Sequence, residues 1–234
     1  MKHKYLILAA LLILSITAKT YGQTETQYSG WLAIYHKQKI AGKWGYLFDA
    51  QYRTDKQFSK TSAYLLRPGI TYEVSKSQVA GTGYAFFGSY EDEKSSRVFY
   101  AENRIWEQYQ LDAKIGKATL SNRLRLEQRF INMEQGGFSQ RLRYYIRSQI
   151  PLVKTDTSFN KGLYMALQNE LFVNVQHRER AGNSFLDQNR SYISFGYRIS
   201  KKIDAELGYQ YVYSKDRDGN LRNNVFQLAI YTDF

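Results

Sequence analysis

Three groups of side chains in this 234-residue sequence could do chemistry, and the largest is a ladder of arginines set mostly at even spacing. Arg123, Arg125 and Arg129 stand in one run and Arg141, Arg143 and Arg147 in the next, with Arg53, Arg67, Arg104, Arg190 and Arg198 elsewhere. A guanidinium fork binds a carboxylate or phosphate with two parallel hydrogen bonds, so such a ladder either pairs with acids or lines a path for small polar or anionic solutes. The second group is His36 and His177, and the third is the segment KDRDGN at 215–220.

The last two groups lead nowhere specific. A nucleophile needs a base within hydrogen-bond reach, and His36 has no serine within two residues on its own face. His177, between Gln176 and Arg178, reads as a solvated loop residue. With no Cys and two distant His, no zinc spacing exists, and KDRDGN lacks the continuing ligands and closing Glu of a calcium loop. No phosphate-binding or dinucleotide fingerprint occurs. The expectation is therefore no catalytic residue, no metal and no cofactor.

What must position the arginines is a set of strands. Aromatic residues make up 16% of the chain, with 21 Tyr and 13 Phe against 2 Pro, which suits a pleated surface. Strict alternation supports this: Trp44, Tyr46, Phe48, Ala50 and Tyr52 oppose Asp49, Gln51 and Arg53, and Leu120, Leu124, Leu126 and Phe130 oppose Arg123, Arg125, Glu127 and Arg129. The same holds around Arg141–Gln149, Arg190–Ile199 and Ile203–Tyr213. No segment carries a helical apolar stripe over three turns. Eleven strand-like runs can be counted. Bacterial single-chain outer-membrane barrels have even strand numbers, so the region Gln23–Lys43 should either hide a twelfth strand or lie outside the wall and leave ten. Both termini would then share the periplasmic side. Short turns at Ser75–Ser77, Gly116–Lys117 and Ser200–Lys202 alternate with longer polar connections at Glu91–Arg97, Asn132–Phe138, Gln176–Gln188 and Ser214–Leu221.

The N-terminus reads as an address. Lys2 and Lys4 precede an apolar run, Tyr5–Ile16, with small Thr20 and Gly22 before Gln23, so 1–22 is expected to be a cleaved secretory signal peptide and 23–234 the barrel. Lys2, Lys4 and Lys19 leave with it, lowering the formal charge from +12 to +9. An exported protein meets little nucleic acid, so no nucleic-acid partner is expected.

Which face of the strands meets water decides the class. The polar face carries Arg where a solvated sheet usually carries Lys. It also carries nine acids, Asp49, Glu73, Glu102, Asp112, Glu127, Glu170, Asp204, Glu206 and Asp233, so near balance with eleven arginines is expected in an enclosed lumen. Tyr and Trp near strand ends of the apolar face fit interfacial girdles. Phe226, Leu228, Ile230 and Phe234 alternate to the last position and resemble the targeting strand read by the outer-membrane barrel assembly machinery, with Thr232 departing from the pattern. Glu107 falls on the apolar face by parity, which a bulge near Asn103 or an interfacial position would relieve.

The Trp31 strand, ENRIWEQYQ around Arg104 and Trp106, RLRLEQRF, QRLRYYIRSQIPL and the late hairpin into YTDF are similar to the outer-membrane barrels of domain-of-unknown-function family 2490, common in Bacteroidetes-type bacteria. The resemblance implies fold and location and carries over no catalytic residue. The expectation is an all-β, transmembrane, up-and-down antiparallel β-barrel of ten to twelve strands in the outer membrane of a Gram-negative cell, with membrane lipid and lipopolysaccharide as surroundings. Lumen-lining candidates are Arg53, Arg67, Arg104, Arg123, Arg125, Glu127, Arg129, Arg141, Arg143, Arg147, Glu170, Arg190, Arg198, Asp204 and Glu206. A structural or narrow-channel role leads. A lipid-modifying barrel enzyme is the alternative, and a soluble secreted β-protein comes third.

Overall fold

The computed structural model describes residues 24–93, 96–133, 136–153, 159–216 and 219–234. The expected signal peptide and Arg217–Asp218 of KDRDGN lie outside the described residues. Eleven strands form one closed barrel: β1 (Thr24–Ala41), β2 (Trp44–Asp55), β3 (Lys60–Ser75), β4 (Gln78–Glu93), β5 (Ser96–Ile115), β6 (Ala118–Asn132), β7 (Gly137–Pro151), β8 (Gly162–Gln176), β9 (Leu186–Ser200), β10 (Ile203–Asp216) and β11 (Gly219–Asp233). Among the described residues one 3-10 turn, Arg178–Arg180, sits between β8 and β9. Consecutive strands pair antiparallel, and the wall closes through a parallel ladder between β1 and β11, from Thr24 against Asn220 to Lys37 against Asp233. Closure leaves no unpaired edge to recruit another strand.

Eleven lies within the expected ten to twelve, but neither expected placement of Gln23–Lys43 is met. β1 is neither doubled nor outside; it is the eleventh stave, and the odd number forces the one parallel pairing. It also separates the chain ends. β1 starts at the mouth that holds the β2–β3, β4–β5, β6–β7, β8–β9 and β10–β11 connections, and Phe234 lies at the opposite mouth. The expected alternation of loop lengths is only partly met. Much of the Glu91–Arg97 and Ser214–Leu221 segments is strand, because extending a hairpin ladder pairs backbone groups that a loop would leave to solvent. The opposite mouth, expected to carry short turns, includes the longer 152–161 connection.

Two faces follow from the alternation. Leu32, Ile34, Leu66, Ile105, Leu124, Leu167, Ile193, Leu207 and Leu228 are exposed on the outside, with the arginine side chains within. Outward rings gather toward the mouths. Tyr52, Tyr64, Tyr90 and Phe99 touch in succession across β2 to β5, at centroid separations of 5.6, 6.3 and 5.1 Å, while Trp44 packs on Tyr72 near the other mouth at 4.9 Å. Outward polar groups mostly find one another: the Tyr144 hydroxyl donates to Asn122 Oδ1 at 2.9 Å, Tyr109 to Gln78 Oε1 at 2.7 Å, and Tyr84 to Asn103. Glu107 does face outward. β5 carries no bulge against either neighbour, and Gln128 Nε2 donates to its carboxylate at 3.0 Å instead.

Only one of the three tryptophans belongs to the outer face. Trp31 and Trp106 point inward, 6% and 0% exposed, which corrects the placing of tryptophan in the girdles alone. Trp106 packs with Leu47, Leu65 and Ala85 in an apolar floor inside the wall, and its indole Nε1 donates to the Tyr84 carbonyl at 3.2 Å. The ring lies flat against the wall because Gly69 and Gly83 supply no side chain there: a Cβ on either would overlap the indole. Gly83→Val should therefore lower stability by about 1–3 kcal/mol, the usual cost of overpacking. A shifted urea midpoint together with a changed tryptophan emission maximum checks this. An unchanged midpoint would mean the indole has room to move.

Candidate functional site: the arginine lumen

Each of the eleven expected arginines is on the inward face and lines a cavity of about 1940 Å3. The lining takes in residues of both mouths, from Lys56 and Glu91 at one to Lys202 and Asp233 at the other. Arg125, Glu127 and Glu206 are each 1% exposed, so side chains fill part of the space between.

Eight of the arginines hold carboxylates, and the carboxylates are shared. Glu102 accepts from Arg104 (Nε, 2.7 Å) and from Arg129 (Nε, 2.6 Å). Glu127 takes Arg141 on one oxygen at 2.6 Å and Arg143 on the other at 2.5 Å. Arg143 continues to Glu170 at 2.7 Å, which also receives Arg123 at 3.0 Å, and Arg141 continues to Asp187 at 2.7 Å. Arg67 pairs with Asp49 at 2.8 Å. Lower in the barrel Arg147 reaches from β7 to Glu206 on β10, where the Tyr164 hydroxyl also donates at 3.0 Å, and Arg198 forks onto Asp204 with two 2.8 Å bonds. Charge-assisted, bidentate bonding of this kind is what makes burial of so many ions tolerable.

Three of the eleven arginines hold no carboxylate among the described residues. Arg53, Arg125 and Arg190 each bond only to a glutamine oxygen, from Gln51 (2.7 Å), Gln108 (2.6 Å) and Gln188 (2.6 Å). Each instead lies over an aromatic ring. The Arg53 guanidinium is 3.9 Å from the Trp31 centroid, Arg125 is 4.8 Å from that of Trp106, and Arg190 is 5.1 Å from Trp31 and 4.6 Å from Phe172. Arg104 and Arg53 share Phe87, and Arg141 and Arg143 share Phe172 with Arg190. Guanidinium and ring thus alternate from Arg104 through Phe87, Arg53, Trp31, Arg190 and Phe172 to Arg143. Cation–π contact stabilises a desolvated cation by about 2 kcal/mol.

The acids inside the barrel are not the same nine that the sequence assigns there. Of the nine acids assigned to that face, Glu73 is exposed and pairs with Lys39 at the rim, and Asp112 takes an amide from Gln110 rather than an arginine. Asp187 joins the net unforeseen, because β9 begins at Leu186 inside a stretch that reads as loop. Asp233 lines the cavity at one mouth and Asp55, Glu91 and Asp92 at the other, while the net itself sets eight of the eleven arginines on seven carboxylates: Asp49, Glu102, Glu127, Glu170, Asp187, Asp204 and Glu206. The aromatic partners were missed for a different reason. Parity puts Trp31 and Phe172 inward, but nothing in the spacing says that a guanidinium covers them.

The histidines are elsewhere. His36 is on the outer face near the end of β1, with Nδ1 2.7 Å from Thr232 Oγ1 on β11 and Nε2 3.0 Å from the Tyr46 hydroxyl on β2. The absence of a serine near His36 concerned neighbours in sequence alone; the parallel seam supplies the Thr232 hydroxyl. No carboxylate joins this trio among the described residues. His177 is exposed beside Glu179. Of the expected targeting strand, Phe226, Leu228 and Phe234 are exposed on the outer face, with Ile230 half-buried beside them.

A closed all-β barrel with an ionic interior and an apolar exterior is the class that the fold and lumen define. A family described as protein of unknown function (DUF2490) matches residues 28–223. The chain belongs to that family. No curated protein and no solved structure matches it.

Removing a shared carboxylate should cost more than its surface counterpart. Glu102→Gln leaves both Arg104 and Arg129 without an ion-pair partner, and the expected loss is about 3 kcal/mol in unfolding free energy. Glu73→Gln, at the exposed Lys39 pair, should change stability by less than about 1 kcal/mol. Urea midpoints of the refolded variants check both, and equal shifts would contradict a buried ionic net.

Proposed function

We propose that the protein is an outer-membrane barrel, exported by a cleaved signal peptide, whose lumen gives small polar and chiefly anionic solutes a narrow route or holding place. It is not an enzyme on this reading. The observation that carries it is the excess of arginine and lysine together over carboxylate along a cavity that takes in residues of both mouths. An enclosed surplus of one sign selects against ions of that sign and favours the other. The outward aliphatic belt, the rings toward both mouths and the alternation into Phe234 support a lipid surrounding and insertion by the barrel assembly machinery.

Planar-bilayer recording tests the route. The refolded protein should give small conductance steps whose reversal potential in a potassium chloride gradient has the sign of anion preference. Silence in the bilayer, with all of the protein in the soluble periplasmic fraction, would end the reading. A specific observation favours the lipid-modifying alternative, the His36–Thr232 pair on the outer wall. Turnover of phospholipid or lipid A abolished by both His36→Ala and Thr232→Ala would move the conclusion there.

The odd strand number adds a sharper check in cells. The chain has no cysteine, so single cysteines report cleanly. Ser59→Cys, in the β2–β3 turn, and Thr24→Cys, at the start of β1, should both react with an impermeant maleimide on intact cells. Lys117→Cys, in the β5–β6 turn, should react only after the outer membrane is opened. Protection of Thr24→Cys alongside reaction of Ser59→Cys would rule out eleven staves with β1 parallel to β11.

A further inference from the structure

Arg53 and Arg190 bring two guanidinium groups to one indole. Arg53 stands directly across the β1–β2 ladder from Trp31, and Arg190 reaches the same ring from β9, on the far side of β10 and β11. The nearest candidate counter-ion is already engaged. Arg190 is the register partner of Glu170, but that carboxylate receives Arg143 and Arg123, and the Arg190 side chain turns away to Trp31 and Phe172. Asp49, two turns of the pleat from Arg53 along β2, is taken by Arg67.

Donors are left over at this place. Arg53 is 9% exposed, and its Nε has no acceptor. Arg190 uses Nε on Gln188, and among the described residues its Nη groups, on the cavity lining, have no hydrogen-bond partner. Gln210, on the neighbouring strand β10 and 3% exposed, lines the same cavity with an Nε2 that also lacks an acceptor. A buried donor without a partner is costly, and two like charges against one ring repel. An ion with several oxygen acceptors held between them would offset both penalties.

We propose that the lumen binds a small oxyanion, a phosphate or a carboxylate, between Arg53 and Arg190 beside Trp31. The proposal rests on the polar-lumen reading above and adds to it a discrete site. Within a closed wall the ligand is a soluble ion and not a lipid headgroup. Arg125, the third unpaired arginine, is not part of it, since its guanidinium lies on Trp106.

Calorimetric titration of the refolded full chain in non-ionic detergent at low salt tests the site, with inorganic phosphate and citrate as separate probes and chloride as the control ion. Phosphate or citrate should bind saturably at one site, and chloride should not. Arg53→Gln and Arg190→Gln should each weaken binding about tenfold, the equivalent of one charge-assisted hydrogen bond. Lys76→Gln, in the exposed β3–β4 turn, should leave it unchanged. Heat-modifiable migration of each variant shows that the barrel has formed. Because Arg53 and Arg190 hold no carboxylate, neither substitution orphans a buried acid, so both variants should fold. Absence of saturable binding by both probes, or wild-type affinity in both arginine variants, overturns the site. Conductance without saturable binding leaves the solute route standing and overturns only the site; saturable binding without conductance upholds the site and counts against the route.

Discussion

The parallel ladder between β1 and β11 is the constraint from which the remaining features follow. Fourteen residues of β1, Thr24 to Lys37, run in register with Asn220 to Asp233, and without that seam the sheet would have two edges and no inside. Closure turns one face of every strand away from bulk solvent. It is this enclosure, and not any single contact, that converts the arginine-bearing face from a solvated surface into a buried ionic medium. Parallel pairing is slightly weaker per residue than antiparallel pairing, and the seam is reinforced by side chains. Tyr35 stacks on Tyr231 within the lumen at 4.8 Å, and His36 ties Thr232 to Tyr46 on the outside. At the upper mouth the β2–β3 turn folds over β1: Lys56, Gln57 and Phe58 all take positive φ, and the Phe58 ring lies against Gly30 and Phe226. Three consecutive L residues in that region cost about 1 kcal/mol each, so the seam is buttressed at some expense.

Inside the wall the organising rule is sharing. Arg125 and Arg143 are direct cross-strand neighbours, an arrangement that repels in isolation. It persists because the two side chains diverge, Arg143 toward Glu127 and Glu170, Arg125 toward Gln108 and the Trp106 face. Each of Glu102, Glu127 and Glu170 serves two arginines. Seven acids in this way hold eight arginines in fixed geometry.

Much of this was legible in the sequence, and what was not has physical causes. Period-two alternation reports face, so the inward position of all eleven arginines could be read directly. Strand number could also be counted, and it was the general preference for even barrels that argued against eleven. Pairing was out of reach because it is set by strand stagger around the wall: nothing in the sequence brings Arg147 on β7 to Glu206 on β10, or Arg141 to Asp187 across β8. Asp187 was hidden by the polar stretch before it, since a strand that begins beside a polar loop offers no apolar alternation to mark its start. Glu107 was read correctly as outward, but its accommodation by Gln128 depends on which residue of β6 stands beside it, again a matter of register.

The inward tryptophans carry the last step. A lumen with surplus cations must lower their self-energy without enough carboxylates, and the faces of aromatic rings are the remaining source of negative potential that brings no charge of its own. Trp31, Phe87, Trp106 and Phe172 take that part, each under at least one guanidinium. Ring faces differ from carboxylates in one respect that matters for function. They hold a guanidinium in place while leaving its in-plane N–H donors free, because the stacking contact uses the face of the group and the donors point outward from its edge. Stacked arginines therefore remain competent to bind an oxyanion where ion-paired ones are already spent. The division of the ladder into eight arginines held by carboxylates and three held by rings without one is a division between structural charge and available charge.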